Sequence, residues 1–269
     1  MKNTTINQRG IVWAFCLAIG LFSVQAQASS EQASSERELL LLRTAERIEQ
    51  TGQQIAKAYF YKGTDVRVDA AEKDIKAGVS TLDADLETLG SMELDEEESN
   101  VVMFFGFTRD EIRAILSQPF SVENGALIMD YSASFVEGAE LIAKKHQNIQ
   151  SDKETMLVEV EQMIYLLERI NMFYISHYAG IKDQNNVRQL KESVASFEAE
   201  FKDISGYSGY RGAQIASIKK IEAYWPIAKQ FFLGIEASNL PVIVLASSTS
   251  LEKELIKLAD FFHKESIAE

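Results

Sequence analysis

Arg47 and Arg169 are the residues of this chain best suited to recognising a ligand. Each sits in a Glu-Arg-Ile triplet, at 46–48 and 168–170, with a shift of 122 residues between them. A guanidinium stays charged and offers a planar fork of donors to a carboxylate or oxyanion. One turn before Arg47 is Arg43 and one turn after it is Thr51, so its own helix supplies no acidic residue at i±4. Glu46 and Glu49 flank it in sequence, and another helix could bring a carboxylate. Arginine on a helix surface is ordinarily solvated or loosely paired, so ligand contact and ion pair stand as the two readings. Gln50, Gln54 and His177 complete the candidate ligand-binding set. His177 is either a pH-sensitive ligand contact or a hydrogen-bonded core histidine.

The residue patterns of catalysis are missing. His146, His177 and His263 are far apart, and no Glu-x-x-His pair of the di-iron bundles occurs; Asp260 with His263 is the only similar spacing. There is no CxxCH haem site, glycine-rich phosphate loop or nucleophile elbow. The acidic run from Glu93 to Glu98 lacks the Asp-x-Asp-x-Asp-Gly calcium loop and reads as a helix start. The expectation is a protein that is not an enzyme and carries neither metal nor cofactor.

Long helices must position these side chains. In 37–62, Leu41, Ala45, Ile48, Gly52, Ile55 and Tyr59 recur at alternating spacings of four and three, the seam of a helix packed along its neighbours. A weaker copy at 159–184 keeps the phase with Met163, Leu167, Ile170, Tyr174, His177 and Ile181. Capping boxes at Ser35/Glu38 and Ser151/Glu154 precede the two copies. Further helices are predicted at about 65–90, from the acidic run to Gln118, from Ser121 to about Ile149, at 186–204, at 213–233, and after Asn239 with Pro241 in the first turn. Pro226 predicts a kink or break in the seventh. Residues 124–142 match 239–257 at a shift of 115, so each copy reads as four helices. The predicted fold is all-α: two tandem antiparallel four-helix bundles, at 36–150 and 151–266, related by an internal repeat. Most aromatics should be core, while Tyr207, Tyr210 and Arg211 of the glycine-rich loop 206–212 are candidates for an exposed partner contact.

The first 28 residues read as a signal peptide. Lys2 and Arg9 precede an apolar run from Ile11 to Val24, and Ala26-Gln27-Ala28 supplies a cleavage site. The run is short of the roughly 20 residues a bilayer span needs. Cleavage after Ala28 removes Cys16, the single cysteine, and leaves 241 residues with a formal charge of −15, histidine taken as neutral. That excess of acid argues against nucleic acid and against anionic membrane surfaces. No later stretch is long and apolar enough to span a membrane, so the expected location is the periplasm.

Gln53-Gln54-Ile55-Ala56-Lys57-Ala58-Tyr59 resembles the end of the GRQRMLSQRIAKAY signature of PilJ-type, NarX-like sensor domains, the N-terminal modules of type IV pilus chemotaxis transducers and nitrate sensors. Arg47 matches the first arginine of that signature, and Trp225, Pro241 and the segment ASSTSLEKEL resemble the module's later helices. The second arginine falls on Glu49 and Asn171, the third on Gln54 and Ser176. The resemblance implies a tandem sensor module that binds a small, possibly anionic ligand between its halves, near Arg47 and Arg169, and signals through a separate partner. The glutamate at 49 speaks against nitrate itself. The alternative is an envelope interaction or structural protein that docks on a protein partner and binds no small molecule.

Overall fold

The computed structural model describes residues 37–146, 152–237 and 240–267. Among them every regular element is helical. Eight helices follow in order: α1 (37–63), α2 (Val68–Gly90), α3 (Glu96–Leu116), α4 (Val122–His146), α5 (Asp152–Tyr178), α6 (Gln184–Ser205), α7 (Ala213–Leu233) and α8 (Pro241–Ile267). The all-α expectation holds. The leader, with its cleavage site, and the caps expected at Ser35, Ser151 and Asn239 lie outside the described residues. Among the described residues no helix is long and apolar enough to cross a membrane.

Local chemistry explains most of the helix ends. Asp95 caps α3 by accepting from the Glu98 amide at 2.9 Å, while Glu98 accepts from the Asp95 amide at 2.9 Å. Lys145 of α4 pairs with Asp95 and Glu97 at 2.8 and 2.6 Å, so the acidic run is a capped helix start. Ser121 accepts from the Asn124 amide at 3.0 Å and caps α4. Helix α2 starts three residues later than predicted, because Asp65 and Arg67 adopt left-handed backbone with φ of 57° and 53°. Buried Val66 anchors this loop, its amide donating to the Tyr61 carbonyl at 2.9 Å.

Of the kink or break predicted at Pro226, the break does not occur: α7 runs continuously through it. Pro226 and residues 222–224 are exposed, so water can satisfy the carbonyl that loses its amide partner. Trp225 meanwhile stacks on Phe197 at 4.0 Å and holds the buried face in line. Two other expectations change. Tyr207 and Tyr210 are half-buried, packed edge-on against Phe262 at 5.3 and 5.8 Å. Phe104 and Phe107, expected in the core, are exposed on α3 around buried Phe105.

Helix α5 packs against α6 and α8, α7 against α8, and α3 against α2 and α4. All six seam residues of α1 are buried. Their N-terminal part joins Leu82 and Leu89 of α2, Phe105 and Ile112 of α3, and Phe135 and Ile142 of α4 in one core cluster. The last turns of α1, from Ala56 to Tyr61, join a second cluster formed mainly by α5 to α8. Full burial of a side chain such as Phe135 contributes about 2–3 kcal/mol. Gly52 permits α4 to approach: a Cβ there would lie 2.8 Å from Phe135 Cδ2.

Helix α1 therefore touches both halves. As it advances from Arg43 to Lys57, its partners on α5 advance from Glu161 to Glu168, so the two helices run in the same direction.

Candidate functional site

Arg47 and Arg169 open into different cavities. The Arg47 guanidinium turns to α2, where Nε donates to both carboxylate oxygens of buried Asp85 at 2.9 Å and Nη2 closes on Oδ1. The hydrogen bond to Asp85 raises the arginine's pKa against the opposing effect of burial. Asp85 lies on the buried stripe of α2 with Leu82, Leu86 and Leu89. A carboxylate in an apolar stripe demands a cation. The stripe is visible in the sequence and calls for a cation, but only the packing of α1 on α2 selects Arg47.

Around Arg47 a cavity of about 110 Å³ is lined by Arg43, Glu46, Glu49, Gln50, Glu161 and Tyr165. Arg43 is also taken, donating to Glu161 from Nη2 at 2.7 Å and lying 3.0 Å from His263 Nδ1. Burial, then Glu161 and Glu49, pushes Glu46 up to about 8. Burial also pushes Glu49 up to about 8, against a hydrogen bond from the Tyr165 hydroxyl. Both arginines here are neutralised by carboxylates, so the space offers an anion no free cation. Gln50 lines it without changing that.

Arg169 is differently placed. Its Nη1 donates to the Tyr165 hydroxyl, its Nη2 donates to Gln189 Oε1 at 2.6 Å, and its guanidinium carbon lies 5.4 Å from the Phe173 ring centroid. These contacts fix the plane of the guanidinium without neutralising it. Among the described residues no carboxylate lies within ion-pair distance of it. The cavity it lines, about 250 Å³ between α1, α4, α5 and α6, has apolar walls from Met129, Met172, Phe173 and Ile181, amides from Asn185, Asn186 and Gln189, and the carboxylates of Asp130 and Asp183. Gln53 of α1, 2 % exposed, also lines it, and its Oε1 has no hydrogen-bond partner among the described residues.

No family model, curated protein or solved structure matches this chain. Its chemistry is read from the geometry alone. The remaining candidates scatter. Gln54 lines a third cavity, with Lys57 and Tyr61. His177 is partly buried near the end of α5, and its Nδ1 has no hydrogen-bond partner among the described residues, contrary to the hydrogen-bonded core reading. Burial, then Lys182, lowers its pKa, with Glu236 opposing. It lines neither arginine's cavity. Among the described residues no three His, Cys, Asp or Glu side chains group as metal ligands.

Gln189 and Gln53 were not singled out in the sequence, while Tyr165 and Phe173 belong to the aromatics expected mostly in the core. Both aromatics carried a usable signal, at i−4 and i+4 from Arg169 on one helix.

Proposed function

We propose that this chain is an exported, periplasmic, non-enzymatic sensory or ligand-binding protein that holds a small anion at Arg169 and passes its signal to a separate partner. In this reading it is a tandem pair of PilJ/NarX-like four-helix modules, at 36–150 and 151–266. The sequence repeat, the all-helical structure and the packing of α5 to α8 support that architecture. The leader pattern supports export. The observation that carries the binding site is Arg169: oriented by Tyr165, Gln189 and Phe173, outside ion-pair distance of any carboxylate among the described residues, and facing a cavity lined also by the amides of Asn185 and Asn186. Such a concave space, with one cation, several amides and an apolar wall, suits a small organic carboxylate seated at Arg169 and clear of Asp130 and Asp183. Arg47 is left out of the site, because Asp85 occupies its guanidinium.

Thermal-shift and calorimetric titration of residues 29–269 with small carboxylates and inorganic oxyanions tests the reading. A bound anion at a hundredfold excess over Kd adds about 2.7 kcal/mol of stability, and Arg169→Gln removes the effect. Absence of binding, or binding that survives Arg169→Gln, overturns it. The docking alternative is favoured by one feature, the exposed Met103, Phe104 and Phe107 of α3, whose two rings stack at 6.4 Å. It predicts recovery of an envelope protein by cross-linking at this strip, with no small-molecule shift.

A further inference from the structure

A second cavity, of about 190 Å³ between α1, α2 and α8, has the opposite electrostatic character. Lys57 lines it, but Lys57 is buried and already neutralised by Glu168, with Nζ 2.8 Å from Oε1. Two more carboxylates, Asp74 and Glu252, face the same space, with Arg67 as the other cation. Among the described residues, none of Asp74, Glu252 and Arg67 has an ion-pair partner. Counting Glu168, three carboxylates thus meet two cations. The crowding is felt at Glu252, which burial, then Glu168, pushes up to about 7, with Asp74 adding and Lys57 opposing.

An independent observation points to a ligand. Tyr61, 2 % exposed, lines the cavity, and its hydroxyl has no hydrogen-bond partner among the described residues. A buried hydroxyl left unpaired destabilises a fold unless something completes it. Of the remaining lining, Ala58, Val66, Ala70, Ala71 and Leu245 form aliphatic walls, with Gln54 and Thr249 polar among them. A metal ion would leave those walls unused, whereas an alkyl chain would cover them.

We propose that this cavity binds a small aliphatic primary amine, whose ammonium group donates hydrogen bonds to Glu252, Asp74 and the Tyr61 hydroxyl oxygen. An ammonium has three donors and no acceptor, matching three acceptors left without partners. The aliphatic chain lies against Val66, Ala70, Ala71 and Leu245. Arg67 sets the limit on the other end of the ligand, accepting a carboxylate and repelling a second ammonium. Binding of the cation favours ionised Glu252, so the complex releases a proton near neutral pH.

The test titrates residues 29–269, carrying Arg169→Gln to silence the anion site, with butylamine and 4-aminobutyrate, and with butyrate and sodium chloride as controls. Both amines are expected to raise the melting temperature and bind in calorimetry, and the controls are not. At pH 7, titration in buffers of different ionisation enthalpy should show proton release on amine binding. Glu252→Gln should weaken binding about tenfold or more and abolish the proton release. Tyr61→Phe should weaken amine binding without lowering the stability of the free protein, because it deletes an unpaired group. Failure of both amines to bind, equal binding of butyrate, an equal shift from sodium chloride, or unchanged amine affinity in both variants overturns the proposal. The Arg169 site is read with anions and this one with amines, so either can fail alone.

Discussion

Lys57 and Glu168 form a buried ion pair that ties α1 to α5: Nζ lies 2.8 Å from Oε1, and the residues are 6 % and 2 % exposed. Removing either partner strands a charge in the core and should cost about 3–5 kcal/mol. Lys57→Met and Glu168→Gln, measured by urea denaturation, are therefore expected to be severe. The double variant Lys57→Met/Glu168→Leu should recover most of the loss, since an apolar pair needs no desolvation.

The Arg47–Asp85 pair should be weaker despite its bidentate geometry, because the arginine side chain is 46 % exposed. Solvent screening at the arginine lowers the cost of Arg47→Ala, but Asp85 is left buried without its partner, so a loss of about 1–3 kcal/mol is expected. Anion affinity at the Arg169 cavity should be unchanged by this substitution. A loss of anion binding in Arg47→Ala would restore the shared-site reading that the geometry disfavours.

Stability should rise on mild acidification. Glu46 and Glu49 are pushed up to about 8 in the folded protein, above an ordinary value of 4.5. The folded state therefore binds more protons than the unfolded chain between those limits, and stability falls as pH rises through that window. Glu254 acts in the other direction. Burial would raise its pKa, but hydrogen bonds from Lys257, Ser217 and Lys220 bring it down to about 2. Its contribution is present above the unfolded value of 4.5 and is lost as pH falls toward 2. Melting temperatures across pH 3 to 9 (a span set by these shifts) should peak on the acid side of neutrality. Glu46→Gln/Glu49→Gln should flatten the decline above the peak.

Gly52→Ala tests the close approach of α1 and α4. Alanine favours a helix by about 1 kcal/mol over glycine, but its Cβ would meet Phe135 Cδ2 at 2.8 Å and Ser132 Oγ at 3.2 Å. Overpacking costs about 1–3 kcal/mol, so a net loss is expected in chemical denaturation. Phe135→Leu in the same chain should recover part of it.

The features legible in the sequence are those decided within a few residues. The seam of α1, the start of α3 at Asp95 and Glu98, the Ser121 cap and Pro241 at the head of α8 all follow from local spacing. The site was less legible because its contacts are made through space. Asp85 is 38 residues from Arg47, and Gln189 is 20 from Arg169. Symmetric placement of the two arginines in a repeat suggested a shared pocket, yet different neighbours turn them apart. Whether α7 continues through Pro226 is likewise decided beyond the local sequence, by which face of the helix meets water.

The ion pairs between α1 and α5 also carry a directional instruction. In both, α1 supplies the cation and α5 the anion: Arg43 to Glu161, Lys57 to Glu168. Under the repeat's shift of 122, the position equivalent to Lys57 is Ala179, in the turn just past the end of α5. Two copies of α5 packed in this register would thus set each Glu168 against an alanine and bury it without a counter-charge. Helix α5 is therefore matched to α1 and, in that register, mismatched to a second copy of itself.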